Sequence, residues 1–203
     1  MDKRDYSRFY QSINYYRYKN TPIKLSQYLS CSDTELSRLN INLEKLDKRV
    51  DLYANSLMPN HFHFEIKQLT DHGISNFIAD ISNSYAKYFN TKNDRVGVLF
   101  QGPFKAKLIE TDEQFIHIAR YIHINPGVSS IVKKEDLENY PWSSFGEYLG
   151  VNRRLNLCEK DMLMKYLKSI DEFKKFTLDQ VDYNKSIKSI EHLITDDFTR
   201  RVE

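Results

Sequence analysis

Two histidines stand two residues apart in the stretch 58–66, Met-Pro-Asn-His-Phe-His-Phe-Glu-Ile, where polar and apolar side chains alternate from His61 to Ile66. Successive side chains of a β-strand point to opposite faces, so the alternation predicts a strand with His61, His63 and Glu65 on one open face. The histidines then lie about 7 Å apart, a spacing that one divalent cation can bridge. The simpler alternative is a half-buried strand whose polar side carries two histidines without a metal.

A tyrosine and an asparagine supply the second half of this chemistry. Tyr121 and Asn125 share a helix face with His117, because each is four residues from the next. Two imidazoles and an amide oxygen can hold one cation with open positions, and such a cation polarises a phosphodiester. A phenol with a pKa of about 10 is a weak nucleophile. It needs that polarised target in order to attack and form a phosphotyrosine bond.

The elements that must position these residues follow from periodicity and from capping signals. Helices are predicted over 5–18, over 74–89 and from Thr111 to a stop at Pro126-Gly127, and strands over 50–57, over 61–66 and in the latter half of 98–109. Asp5 and Ser75 are expected N-caps, and Ser32 is expected to begin a short helix. The strands over 50–57 and 61–66 should pair as a tight hairpin, since Pro59 turns the chain between them.

Two later stretches complete the predicted domain. Clustered rings over 140–145 predict a segment that docks on the domain, with the single Trp in its core. Beyond Gly150 the sequence becomes charged and helical. One possible apolar stripe there consists of Met162, Tyr166, Leu167, Ile170, Phe173 and Phe176.

Composition narrows the class of protein. The chain has 203 residues, of which 40% are hydrophobic, so it can build a single core. The net charge of +2 indicates no chain-wide attraction to a polyanion. Cys31 and Cys158 are too few and too distant for a disulfide framework or a zinc knuckle. No apolar run of membrane length or secretory signal occurs, which predicts a cytoplasmic protein without a membrane partner.

Basic residues nevertheless gather locally. Five lie between positions 87 and 107 against a single acid, interleaved with four aromatic residues: Lys87, Lys92, Arg95, Lys105 and Lys107. Cations that contact phosphates and rings that stack on unpaired bases are what a groove for single-stranded nucleic acid requires. The commoner meaning of such a run is a solvated loop and strand face.

Several motifs, in this order, resemble those of the REP-associated tyrosine transposases, a branch of the single-tyrosine HUH transposases. They are Leu57–Phe64, Gly97–Gly102, Phe104–Ala106, Arg120–Pro126 and Tyr140–Ser144. The resemblance spans about residues 5–149 and implies an α+β, ferredoxin-like fold, an antiparallel sheet with helices on one face. It also implies a nuclease and strand transferase for single-stranded DNA with hairpin-forming ends, acting through a 5′-phosphotyrosine intermediate with Mg²⁺ or Mn²⁺.

Carried over by position, the resemblance makes His61 and His63 the metal pair and Tyr121 the nucleophile. Asn125 takes the place of a polar third ligand. Lys105 and Lys107 are implied to contact the DNA backbone. Lys87 and Arg95 are the two further DNA contacts that we expect from the basic run.

Three other side chains lie near these positions in the sequence, and we expect none of them to be a metal ligand or the nucleophile. Glu65 shares the histidine face and is expected to be a surface carboxylate, with a supporting role at the metal as the alternative. His117 is expected to support the site at most. His123 lies on another face of its helix and should serve packing or lie at the surface.

The sequence departs from the family in two places. Pro103 stands where an Arg is usual, which removes a bidentate phosphate contact. The first strand of the family is absent, and this strand is central in the ferredoxin-like sheet.

We therefore predict a transposase domain over 1–149 and a helical extension over 150–203, acting as a monomer or a homodimer. The second hypothesis is a decayed relative that binds single strands without cutting them. A third is a metal hydrolase in which Tyr121 is structural, disfavoured because the sequence offers no carboxylate ligands in the pattern.

Overall fold

The computed structural model describes residues 2–39, 41–151, 156–179 and 181. It confirms the α+β class, because helices accompany one antiparallel sheet of two strands in this part of the chain. The chain divides into two compact units. The first comprises the residues up to Asp51 together with Lys67–Leu99, and the second comprises Leu52–Ile66 and the described residues from Phe100 onward. The predicted division at residue 150 stays a prediction.

The two strands are β1 (Val50–Leu57) and β2 (Phe62–Gln68). The helices are α1 (Lys3–Tyr16), α2 (Leu25–Tyr28), α3 (Asp33–Arg38), α4 (Gly73–Lys92), α5 (Asp112–Val128), α6 (Phe145–Tyr148), α7 (Lys160–Met164) and α8 (Ile170–Leu178). None of the helices in the described ranges has the length and apolar character needed to cross a membrane.

In the first unit, α1 and α4 pack against each other, with the rings of Phe9 and Tyr85 in edge-to-face contact at 4.9 Å. Helix α1 begins earlier than predicted, and Asp2 rather than Asp5 is its N-cap. The Asp2 carboxylate accepts a hydrogen bond from the backbone of Asp5, whose own carboxylate accepts one from the backbone of Asp2. Asp5 is therefore the other half of a capping box, since a side chain at this position can bond back to the cap.

The expected cap of α4 is also wrong. Ser75 lies inside the helix, and the N-cap is His72, which has a left-handed backbone with φ of 55°. The next residue is Gly73, where a side chain has no room because its Cβ would collide with the carbonyl oxygen of Arg49. The short helix at Ser32 is confirmed, with Ser32 and Glu35 forming its capping box.

The second unit contains most of the hairpin. The turn is tight, as predicted, because the Met58 N–H donates to the carbonyl of His61 at 2.8 Å. The docking segment over 140–145 is confirmed as well: it pairs with β1 through Leu57 N–H to Trp142 O at 2.8 Å and an antiparallel bridge between Ser56 and Ser143. Aromatic Trp142 is buried, as expected.

Helix α5 carries the residues of interest and begins at Thr111, whose hydroxyl accepts from Gln114 N–H. The predicted stop at Pro126-Gly127 is wrong, because the helix continues through Pro126 to Val128. Proline removes its own N–H donor and its ring crowds the carbonyl four residues earlier, and here these effects fall in the last turn, two residues before the helix ends. The carbonyl of Pro126 is in turn bonded by Ile131 N–H at 2.9 Å.

Two other predictions fail. Residues 101–110 contain no strand, although their alternation suggested one. The C-terminal stripe does not form one helix face: it is divided between α7 and α8, and Met162, Tyr166 and Ile170 from it are exposed while Phe173 is buried. Alternation of polar and apolar residues indicates a strand, but a strand also needs a partner for its backbone.

Candidate metal and tyrosine site

The histidine face of β2 is covered, not open. His63 exposes 4% of its surface and Glu65 exposes 2%, while Phe62 and Phe64 on the opposite face are also buried. The expectation of an open polar face is therefore wrong. Helix α5 provides the covering side chains, as the contacts of His63 with Asn125 and Tyr121 show.

The structure brings the strand pair and the helix pair together. His63 Nε2 lies 3.2 Å from Asn125 Nδ2. The imidazole of His63 meets the ring of Tyr121 edge to face, at 5.9 Å between centroids and 84° between planes. The rings of His61 and His63 are 5.0 Å apart. Within the second unit, His63 is thus the common neighbour of the three other residues predicted from the sequence, His61, Tyr121 and Asn125.

Hydrogen-bond chemistry fixes which imidazole nitrogen carries the proton. His61 Nδ1 lies 2.7 Å from Asn60 Oδ1, an amide oxygen that can only accept, so Nδ1 of His61 holds the proton. At His63 the partner of Nε2 is the amide nitrogen of Asn125, which can only donate. With the ring of His61 in its neutral form, both imidazoles then carry a lone pair on Nε2, the form in which a histidine binds a metal.

The protonation state of His63 agrees with this arrangement. Burial, with a smaller effect from the nearby His61, lowers the pKa of His63 to about 3. Loss of hydration disfavours the imidazolium ion, so the ring is neutral at pH 7. A neutral imidazole is the ligand that a metal requires, because a protonated one has no lone pair to donate.

Three side chains could together bind a divalent cation, namely two imidazoles and one amide. The described ranges hold no group of three or more His, Cys, Asp or Glu side chains arranged to bind a metal. His61 and His63 would supply two nitrogen donors, and Asn125 is the polar neighbour able to supply an oxygen. In the arrangement seen, however, Asn125 Oδ1 accepts from the hydroxyl of Ser129 at 3.2 Å.

Glu65 is not the surface carboxylate that the sequence predicted. Neither of its carboxylate oxygens has a hydrogen-bond partner in the described part of the chain. Burial raises the pKa of Glu65 well above its ordinary value, which favours the neutral acid. The alternation of β2 predicted its face correctly but not the burial of that face.

The other histidines of α5 lie elsewhere. His117 Nδ1 is 2.5 Å from a guanidinium nitrogen of Arg120, and its ring contacts Phe176. His123 is completely buried and lies 2.8 Å from the hydroxyl of Ser144. Two roles were expected for His123, packing or a place at the surface, and the structure shows packing.

Two residues that contact the site were missed in the sequence, Asn60 and Ser129. A signal existed for each. Asn60 precedes the histidine strand in a turn, where asparagine commonly bonds to near neighbours. Ser129 extends by one step the four-residue spacing that joins Tyr121 and Asn125.

The basic residues chosen as DNA contacts lie in different units. Lys87 and Arg95 belong to the first unit, where the Arg95 guanidinium lies 6.0 Å from the ring centre of Phe89. Lys105 and Lys107 belong to the second unit, in the segment without regular structure. The three lysines are exposed, while Arg95 is half-buried.

Comparison with known proteins gives one family. No curated protein and no solved structure matches the chain. Residues 32–125 match the family described as "Transposase IS200 like". The matched stretch begins at Ser32 and ends at Asn125, so it contains both histidines and Tyr121. This match supports assignment of the chain to the IS200-like transposases.

Proposed function

We propose that this chain cleaves and rejoins single-stranded DNA through Tyr121, at a site where His61, His63 and Asn125 hold Mg²⁺ or Mn²⁺. The match to this family implies a transposase with DNA as its partner. The finer proposal is supported above all by one observation: the imidazole of His63, with its lone pair on Nε2, lies between the ring of His61 at 5.0 Å and the ring of Tyr121 at 5.9 Å. The expected substrate is DNA with hairpin-forming ends, handled in the cytoplasm by a monomer or a homodimer.

The proposed reaction is a transesterification at phosphorus. The phenol oxygen of Tyr121 attacks the scissile phosphate and forms an O–P bond, while the bond from phosphorus to the 3′ oxygen breaks. The phenol proton is lost and the departing 3′ oxygen gains one, which leaves a 3′ hydroxyl and a 5′-phosphotyrosine. Attack of another 3′ hydroxyl reverses these steps and rejoins DNA. A bound cation would supply polarisation of the phosphate and charge stabilisation.

Burial contributes to this chemistry. Tyr121 exposes only 8% of its surface and His63 exposes 4%. Side chains that exclude water protect a covalent phosphotyrosine from hydrolysis until a 3′ hydroxyl arrives. The same burial means that DNA must displace covering side chains before the phenol can reach phosphorus.

The exposed lysines would hold the strand. Lys105 and Lys107 lie in the same unit as Tyr121 and can contact phosphates on either side of the cleavage point. Lys87 and Arg95 would add contacts from the first unit. These contacts position DNA but do not read its sequence, since phosphates are the same at every step.

The decisive experiment is the covalent adduct. The purified chain is mixed with Mn²⁺ and a labelled single-stranded hairpin oligonucleotide, and a labelled band at protein size is sought on a denaturing gel. We expect Tyr121→Phe to abolish that band while leaving binding of the oligonucleotide in a gel-shift assay intact. Tyr166→Phe is the matched control, because Tyr166 is exposed and lies in the same unit. An adduct that survives Tyr121→Phe would remove the assignment.

A second candidate is a relative that binds single strands without cutting them. The strong burial of Tyr121 favours this alternative, as does the absence of a third ionisable ligand in the described residues. It predicts a gel shift with the unmodified chain but no nicking and no adduct with any divalent metal. Metal-dependent nicking that requires Tyr121 excludes it.

A further inference from the structure

The side-chain amide of Asn125 is held at both ends. Its nitrogen lies 3.2 Å from His63 Nε2, and its oxygen accepts from the hydroxyl of Ser129, also at 3.2 Å. Both His63 and Asn125 are buried, with 4% and 5% of their surfaces exposed. A buried amide is costly to leave unsatisfied, so these two partners decide which way it points.

This orientation is unsuited to binding a cation. A hard cation takes the amide oxygen as its ligand, whereas the amide nitrogen has no lone pair to offer. The amide N–H also occupies the Nε2 lone pair that His63 would give to a metal. His63 and Asn125 can therefore share one ion only if the amide of Asn125 turns by about half a revolution about its last torsion, which is a soft one.

Ser129 can serve the amide in both orientations. A hydroxyl donates one hydrogen bond and also accepts, so it can donate to the amide oxygen now and accept from the amide nitrogen after the turn. Its place is fixed, because the Ser129 N–H donates to the carbonyl of Asn125 at 2.9 Å where α5 ends. The side chain is exposed, so its contribution to packing is small.

We propose that Ser129 is a positioning residue whose hydroxyl lets the amide of Asn125 exchange its bond to His63 for a bond to the cation. The inference rests on the metal site of the proposed function. Partners outside the ligand set that orient a ligand typically change metal affinity by about 10-fold to 100-fold when removed.

The test measures Mn²⁺ affinity of the full chain without DNA, by electron paramagnetic resonance of the free ion. Ser129→Ala should weaken binding by about 10-fold. Ser129→Thr keeps a hydroxyl and should stay within about twofold of the unmodified chain. Ser37→Ala is the matched control, since it removes an exposed serine hydroxyl from α3 in the other unit. His63→Ala should abolish binding.

The outcomes separate this inference from the function on which it rests. If Ser129→Ala binds Mn²⁺ as tightly as the unmodified chain while His63→Ala no longer binds it, the role of Ser129 is overturned. The metal site itself is then supported. Loss in Ser129→Thr equal to that in Ser129→Ala also overturns it, because the hydroxyl would then not be the cause. Unchanged Mn²⁺ binding in His63→Ala refutes the metal site itself.

Discussion

Replacement of Phe173 by Ala tests how helix α8 supports the helix that carries Tyr121. Phe173 exposes 1% of its surface and contacts the ring of His123 on α5 at 5.6 Å. It also contacts the rings of Phe145 and Tyr148, at 5.8 and 5.1 Å. Helix α8 is therefore anchored in the core of the second unit by this side chain.

The expected cost follows from these contacts. Truncation of a buried Phe to Ala lowers the free energy of unfolding by about 3–5 kcal/mol, through lost burial and the cavity left behind. The three ring contacts favour the upper half of that range, because aromatic pairs add about 0.5–1.5 kcal/mol each beyond burial. A loss of about 4 kcal/mol is a large fraction of the stability of a typical domain.

Urea unfolding, monitored by tryptophan fluorescence, measures the stability of the second unit, in which Phe173 lies. Trp142 is the single Trp of the chain and is buried in the second unit, as is Phe173. With a slope of about 2 kcal/mol per molar urea, the midpoint should fall by about 2 M. Ile170→Ala is the control on the same helix, because Ile170 is 50% exposed and should cost about 0.5 kcal/mol at most. A fall of less than about 1 kcal/mol for Phe173→Ala would refute the anchoring role.

Three other predictions concern the metal pair, the first unit and DNA. Asn60→Ala removes the acceptor that fixes the proton on the first imidazole of the pair, and Mn²⁺ affinity should fall by about 10-fold; unchanged affinity would contradict the assigned tautomer. The ammonium of Lys92, 2.6 Å away, is the main reason that the pKa of Asp2 is lowered to about 2, so Lys92→Ala should return it toward 3.8 in a carboxyl NMR titration. Because the folded pKa is lowered, the stabilising effect of this ion pair is present above pH 4 and is lost as the pH falls toward 2; an unshifted titration would exclude the pair. Replacing Lys105 and Lys107 by Ala should weaken binding of single-stranded DNA and reduce its logarithmic salt dependence by about 1.4, and an unchanged slope would show that neither lysine contacts phosphate.

Much of the local structure could be predicted from the sequence. The hairpin, the N-cap of α5 at Thr111 and the capped turn at Ser32 were found because each depends on residues near one another in the chain. The misplaced cap of α1 shows the limit of this approach. Asp2 and Asp5 are both good caps, and only the backbone geometry decides which one precedes the helix.

The sequence by itself indicated the family, the α+β class and the residues that share each face of β2, since alternation and spacing are properties of the chain alone. Only the tertiary structure decided that both faces of β2 are buried from Phe62 to Glu65 and that Asn60 and Ser129 contact the candidate ligands. The physical reason is that a side-chain pattern distinguishes two faces but does not say what covers them. The burial of His63 and its tautomer depend on Tyr121 and Asn125 of α5, which lie about sixty residues further along the chain, whereas the tautomer of His61 depends on its neighbour Asn60.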